Sequence, residues 1–275
     1  MTSSNSQNKQ VALVTGASSG IGRVSARALA EAGFEVVGTS RNAARVEPLQ
    51  GVTFVDLDVT SDASVEAAVA DVIGRFGRVD VLVNNAGLGL AGAAEESSMD
   101  QVETLFDTNV FGLIRVTNAV LTHMRAQGSG RVVNISSVLG FLPAPYMAIY
   151  AATKHAVEGY TESIDHEVRQ HGVRVLLVEP GYTSTDFEAN SAWSDRPIPA
   201  YDDQRRTAAK ILSAAMKDAD SPSVVATKVV EAATAARPRG RYPAGALAAR
   251  VSLLRRFVPR AAFDKQIRKL NQLPA

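Results

Sequence analysis

From Val11 onward, short apolar runs rich in β-branched residues alternate with longer segments whose apolar positions recur at helical spacing. Val11–Thr15, Glu35–Thr39, Thr53–Val55, Val79–Val83, Arg131–Ile135 and Val173–Val178 are dominated by consecutive apolar residues, which predicts strands buried on both faces. Helical periodicity covers Ile21–Ala32, Ser61–Phe76, roughly Met99–Met124 and Tyr150–Gln170. In the first of these, Ile21, Ser25, Ala28 and Leu29 share a face, and Gly33 stands where a C-terminal cap is expected. Strand–helix alternation with right-handed crossovers predicts an α/β fold: a doubly wound, Rossmann-type parallel sheet flanked by helices. Ligands in that architecture bind at the carboxyl ends of the strands.

The pattern contains no internal repeat and no long linker, so residues 9–275 are expected to form one domain after a polar, disordered leader, Met1–Asn8. The rhythm breaks at about 182–216, a segment that holds the only Trp, Trp193, and is expected to form a helical lid over the substrate. From Ala244 to Ala275 a helical extension is expected, with Leu247, Val251, Leu254 and Val258 on one stripe until Pro259 interrupts it. This tail carries seven basic residues (Arg250, Arg255, Arg256, Arg260, Lys265, Arg268, Lys269) against one acid, Asp264, so its charge is +6 in a chain of net +1. Two dispositions fit the stripe: packing beside the cleft or a subunit contact, or resting on an anionic membrane surface. Packing is the expected one, because Pro259 limits the continuous apolar face.

Composition narrows the function. With 275 residues and 46% hydrophobic content the chain can bury a large core. Its 29 Lys+Arg nearly cancel 28 Asp+Glu, which argues against nucleic acid as partner and favours a small molecule. Cys is absent, excluding disulfides, thiolate catalysis and Cys-ligated zinc. The four His residues show no metal-ligand spacing, so no metal is expected. The leader lacks the basic start and apolar run of a secretory signal, and no stretch approaches the roughly 20 apolar residues of a membrane span. A soluble, cytoplasmic protein is expected.

The first strand runs into Thr15-Gly16-Ala17-Ser18-Ser19-Gly20-Ile21-Gly22, a glycine-rich turn that opens a helix. Glycine allows a tight turn and close backbone approach to a pyrophosphate, and the helix N-terminus offers free N–H groups. Tyr150 and Lys154, four apart on a helix, project from one face, and a nearby ammonium is expected to lower the phenol pKa from its usual value of about 10. Ser137, 13 residues earlier, can hold a substrate oxygen by hydrogen bond; its neighbour Ser136 is the rival for that role. The turn after the second strand, Gly38-Thr39-Ser40-Arg41-Asn42, contains no carboxylate. An acid there would bind the ribose hydroxyls of NAD, whereas Ser40 and Arg41 suit the 2′-phosphate of NADP.

Together these motifs resemble the short-chain dehydrogenase/reductase family, in its order and over about Val11–Phe187. The T-G-x-x-x-G-x-G turn, Asn84-Asn85-Ala86-Gly87, Asn109-Val110-Phe111-Gly112, Ser137, the Tyr150-x-x-x-Lys154 pair and Pro180-Gly181-Tyr182-Thr183-Ser184-Thr185 all match. The resemblance implies Asn109, Ser137, Tyr150 and Lys154 as the catalytic set, with Asn109 anchoring a water that links Lys154 to solvent. It implies cofactor contacts from Gly16, Ser18, Ser19, Gly20, Ile21, Gly22, Ser40, Arg41, Asp58, Val59, Asn85, Ala86, Gly87, Tyr150, Lys154, Pro180, Gly181, Thr183 and Thr185. Of these, Asp58 would meet the adenine and Thr183 and Thr185 the nicotinamide carboxamide. Ser137, Leu139, Tyr150, Tyr182 and Phe187 would line an apolar substrate pocket. The implied activity is NADP(H)-dependent hydride transfer to or from a carbonyl or alcohol such as a ketone, hydroxysteroid or retinoid. A homodimer or homotetramer is implied, paired through the helices at Met99–Met124 and Tyr150–Gln170. The alternative is a non-catalytic dinucleotide-binding redox sensor, against which the retained Ser–Tyr–Lys set speaks.

Overall fold

The structure, a computed structural model, describes residues 9–188 and 190–273; the leader Met1–Asn8 lies outside the described residues. The apolar runs form β1 (Val11–Val14), β2 (Glu35–Ser40), β3 (Val52–Asp56), β4 (Val81–Asn84), β6 (Gly130–Ile135) and β7 (Val173–Pro180), with the two-residue β5 (Leu90–Ala91) standing apart from them. With β9 (Arg241–Ala244) at one edge, the described residues build a seven-stranded parallel sheet in the order β3-β2-β1-β4-β6-β7-β9. The chain winds outward from β1 to β3, then returns to place β4 on the other side of β1. That reversal opens a crevice between the ends of β1 and β4.

Each face of the sheet has its own core. Ala26 and Leu29 of α1 (Gly20–Glu31) and Val225 and Val229 of α7 (Pro222–Thr234) pack against Ala12, Val14, Val36, Val81 and Val133. On the opposite face, Val65, Val69 and Val72 of α2 (Asp62–Phe76), Val116 and Val120 of α4 (Gly112–Gln127) and Ile164 of α5 (Ala148–Val168) cover Val11, Leu13, Val37, Leu82, Val132 and Val175. Consecutive strand residues therefore feed opposite cores, which is why these strands read as unbroken apolar runs. No helix among the described residues is long and apolar enough to cross a membrane.

Three elements differ from the expected pattern. The helix expected at Met99–Met124 is α3 (Met99–Phe106), a π-helical turn (Asp107–Phe111) and α4. Strand β9 was not expected: it is a four-residue edge strand containing Pro243, with one neighbour and little apolar pattern. In the tail, α8 (Ala246–Phe257) buries Ala248 and partly buries Val251, while Leu247 and Leu254 of the expected stripe are exposed. The helix turns its small Ala248 to Val138 and Leu142 and is followed by α9 (Arg260–Leu270), whose Phe263 joins the same cluster.

The segment expected to form a lid contains β8 (Ala192–Trp193) and α6 (Asp202–Lys217). Strand β8 pairs in parallel with β5, and Ser98 donates its N–H (2.9 Å) and hydroxyl (2.7 Å) to Asp195. The central fastener is Glu96, fully buried, whose carboxylate accepts the N–H groups of Ala93 (3.0 Å) and Ile198 (2.7 Å) and pairs with Arg205 at the start of α6. Glu96→Ala leaves a partly buried guanidinium and two amides without their acceptor, so a loss of about 3 kcal/mol is expected. Thermal denaturation and limited proteolysis check this: the melting temperature should fall and cleavage should concentrate within 182–216, whereas an unchanged pattern would show that β5–β8 pairing and the Ser98–Asp195 bonds hold the segment without Glu96.

Candidate active site

The crevice is closed by side chains binding one turn to another. The Thr15 hydroxyl accepts the N–H groups of Asn85 (3.0 Å) and Ala86 (3.1 Å), and the Asn85 side-chain amide donates to the carbonyls of Thr15 and Gly16, both at 3.0 Å. Gly16 sits at φ +63°, and a Cβ on Gly22 would stand 2.3 Å from the Gly16 carbonyl oxygen and 2.4 Å from the Asn85 amide nitrogen. Only glycines allow the turn to fold this tightly beneath the start of α1. The Pro180-Gly181 segment closes over the turn: Thr185 Cβ lies 3.4 Å from where a Cβ on Gly20 would be. Thr183 and Ser184 are held in place by pairing with Asp220, whose carbonyl accepts the Ser184 N–H at 2.9 Å.

A cavity of about 590 Å³ continues from this turn, lined by Ser18, Ser19, Gly20, Arg23, Ser40, Arg41, Asn42, Arg45, Val46, Glu47 and Asp186. Arg23 is held by the carbonyls of Glu47 (2.9 Å) and Pro48 (3.1 Å), whereas Arg41 and Arg45 make no ion pair among the described residues. A helix N-terminus, three seryl hydroxyls and two available guanidinium groups are a donor set suited to a pyrophosphate at one end and a phosphate on the ribose at the other. The residues present fit a nicotinamide dinucleotide. Asp58 stands next along the strand ends: the N–H (3.0 Å) and hydroxyl (2.7 Å) of Thr60 donate to it and hold its carboxyl below the usual range. Val59 is buried, its carbonyl accepting Arg115 at 2.6 Å.

Beyond β6 the chain brings Ser137, Tyr150 and Lys154 together. Burial pushes the Tyr150 phenol well above its ordinary value, and a hydrogen bond with Ser137 opposes part of that rise. Lys154 donates to the Ile135 carbonyl at 3.0 Å, and burial pushes its ammonium down from 10.5 to about 8, against the opposing charge of Glu158. Its Nζ lies 5.7 Å from the Tyr150 ring centroid. The expected lowering of the phenol by Lys154 therefore fails here: the lysine is turned to a carbonyl and both groups are desolvated, so burial dominates.

The geometry also separates the two serines. Ser136 donates to Glu158 Oε1 at 2.9 Å and faces away from the cleft, while Ser137 faces Tyr150. Asn109, in the π turn, donates to the Leu88 carbonyl (2.9 Å) and Thr153 hydroxyl (3.2 Å) and accepts the Leu88 N–H (2.8 Å). Its side chain thus ties the loop after β4 to α5, and Gly87 packs against its Oδ1. Around Tyr150 the lining is apolar: Phe187 lies 5.9 Å away between ring centroids, Leu139, Met147 and Leu90 pack alongside, and Tyr182 is 40% exposed at the rim. Tyr146 holds a left-handed φ of +64°, with its carbonyl accepting the Gly92 N–H at 2.8 Å and its ring edge-on to Tyr201, just before α6.

The sequence reading missed two parts. Arg45 follows Arg41 by four residues, a spacing that could have marked it as a second basic group of the cavity. Behind Lys154, Arg241 pairs with Glu158 (2.8 Å), Glu162 (2.9 Å) and the fully buried Glu179, whose carboxyl burial pushes up to about 7. These residues converge only in three dimensions, and no local pattern announces them.

Residues 10–195 match the family model described as short chain dehydrogenase. A 3-ketodihydrosphingosine reductase from Bacteroides thetaiotaomicron is 43% identical over 181 residues, a match that covers 66% of this chain and 66% of that protein. Among solved structures, a short-chain dehydrogenase from Streptomyces avermitilis superposes with a TM-score of 0.82 at 35% identity, covering 95% of this chain and 98% of the other. One from Burkholderia phymatum in complex with NAD gives 0.78 at 29% identity over 92% and 95%. A metagenomic short-chain oxidoreductase in complex with NADP gives 0.66 at 30% over 85% and 96%.

The buried ammonium of Lys154 has a consequence for stability that can be measured. Its folded pKa, about 8, lies below its unfolded value of 10.5, so between these limits the unfolded chain binds more protons and stability rises with pH. Lys154→Met removes the buried charge and is expected to melt at a higher temperature than the parent at pH 7. The gap should narrow as pH climbs from 8 towards 10; a gap constant across that range would mean that Lys154 is not desolvated.

Proposed function

Because this chain belongs to the short-chain dehydrogenase family of oxidoreductases, we propose that it transfers a hydride between NADP(H) and the carbonyl or alcohol carbon of an apolar small molecule. The observation that carries this reading is the meeting of Ser137 and Tyr150 over Lys154 in an apolar cleft, next to a cavity with two available arginines. Arg41, Arg45 and Ser40 would take the 2′-phosphate, Ser18, Ser19 and the α1 N-terminus the pyrophosphate, Asp58 and Val59 the adenine side, and Thr183 and Thr185 the carboxamide. When bound, the nicotinamide supplies the hydride in reduction and accepts it in oxidation.

Ser137 holds the substrate oxygen by hydrogen bond, and Tyr150 gives its phenolic proton to that oxygen as negative charge develops there. The phenol is protonated at neutral pH and so carries the proton that a reduction consumes. Lys154, on the same helix face with its ammonium on the Ile135 carbonyl, is the cation nearest to the charge left on the phenol. Asn109 keeps α5 and the Leu88 loop at a fixed separation, so that the two sides of the cleft stay aligned. Leu139, Tyr182 and Phe187 favour an apolar substrate, and the named activity of the Bacteroides relative supports a long-chain ketone. The 53% exposed Phe111, between α3 and α4, supports self-association through those helices and α5.

Two experiments test the reading. NADPH should bind more tightly than NADH; Arg41→Ala should cost NADPH roughly 1.5–3 kcal/mol, and Ser40→Asp should shift preference towards NADH. Fluorescence titration of both cofactors checks this, and equal or tighter NADH binding by the parent protein would overturn the cofactor choice. Tyr150→Phe should abolish ketone reduction while leaving NADPH binding largely intact, as read by single-turnover kinetics. Near-normal turnover would defeat Tyr150 as the proton donor.

A further inference from the structure

We propose that the outward face of α8 seats the protein on an anionic lipid surface, so that an apolar substrate enters the cleft from the lipid. This rests on the apolar-ketone reading of the site above. Arg250, Leu253, Leu254 and Phe257 follow the i, i+3, i+4, i+7 spacing of one helix face. Leu253 is 61%, Leu254 48% and Phe257 71% exposed. The opposite face is anchored, with Ala248 buried and Val251 packed against the Val138 and Leu142 cluster. Leu253 and Leu254 are therefore not consumed in holding the helix to the body.

Charge selects the occupant. Among described residues from Gly245 to Leu273 the one acid is Asp264, while Arg250 lies within the apolar stripe and α9 exposes Arg260, Lys265 and Lys269. Large apolar side chains interleaved with cations fit the boundary between acyl chains and anionic headgroups. A second copy fits poorly, because a two-fold contact through this face would set its cations against themselves. Pro259, expected from the sequence to cut the surface short, instead joins two helices, and the second adds cations.

The position of the face gives it a use. Leu247 packs on the Gly181 backbone, its Cδ2 3.7 Å from where a Cβ on that residue would lie. Leu139 packs both against the cluster containing Tyr150 and against the one containing Ala248. One side chain thus separates the seat of α8 from the reacting phenol, so a lipid surface under α8 lies beside the apolar mouth of the cleft.

Flotation of the full chain with phosphatidylcholine vesicles, with and without phosphatidylserine, tests the docking. Binding is expected to be at least tenfold stronger on the phosphatidylserine vesicles and to weaken as salt is raised. The triple variant Arg250→Glu, Leu253→Ser, Leu254→Ser should lose that binding while keeping the parent's melting temperature and its NADPH-dependent turnover of a short, water-soluble ketone. Absence of phosphatidylserine-dependent binding, or equal binding by the triple variant, would overturn the proposal. So would a change of oligomeric mass in the variant by light scattering, which would assign the face to a second copy. Vesicle binding as expected without turnover of any ketone would uphold the docking and defeat the reductase reading instead. A leucine-only variant, Leu253→Ser, serves if the triple variant melts early, with the same expected loss in smaller degree.

Discussion

The site depends on a clasp of four hydrogen bonds at the point where β1 and β4 part. One hydroxyl, Thr15, accepts two backbone amides from the β4 turn, and one side-chain amide, Asn85, donates to two carbonyls of the β1 turn. Parallel strands diverge beyond their last ladder bond, and the groups exposed there would otherwise stay unpaired in a half-buried crevice. The clasp satisfies them internally and sets the separation of the two turns, and that separation forces Gly16 and Gly22 to be glycine. The free amides of α1 then point towards the cavity at fixed height, and Thr185 can close over them. Without it the first turn of α1 would have no defined relation to the Leu88 loop or to α5.

Desolvation governs the chemistry on the other side of the cleft. It raises the Tyr150 phenol and weakens Lys154 as a cation, and the charge of Glu158 opposes the second effect. Glu158 is itself held by Ser136 and Arg241, so the serine next to the one facing the cleft serves the support behind the helix. Adjacent residues on one strand end thus meet α5 about two turns apart along one face, Ser137 at Tyr150 and Ser136 at Glu158.

Much of this was legible in sequence for a simple reason. Strands buried on both faces write themselves as apolar runs, and the glycine turn, Asn85, Ser137 and the Tyr150–Lys154 pair lie in contiguous segments where spacing translates directly into geometry. Strand β9 did not, because an edge strand has one neighbour, and Arg-Tyr-Pro-Ala carries no repeating pattern. The Glu96 fastener and the Glu158–Glu179–Arg241 group were equally hidden: their members lie up to 109 positions apart, and an acidic residue in sequence reads as solvated until the fold surrounds it. The phenol's upward shift was misjudged because spacing reports which charges are near but not how much water has been removed.

Arg241 also marks where the chain can be divided. From the sheet edge it compensates carboxylates of α5 and β7, one of them fully buried, directly behind the active-site helix. Everything through Ala244 is therefore bound to the Rossmann-type body by charge as well as by strand pairing. The two last helices, α8 and α9, rest on that body at a small apolar seat of Ala248, Val251 and Phe263, with Leu247 on the Gly181 backbone and Arg255 donating to the Phe141 carbonyl at 3.2 Å. The natural seam for exchanging segments among relatives lies at Gly245, just past the last strand: a graft there would carry over a new cleft border and outer surface while leaving the counterion of the buried acids in place.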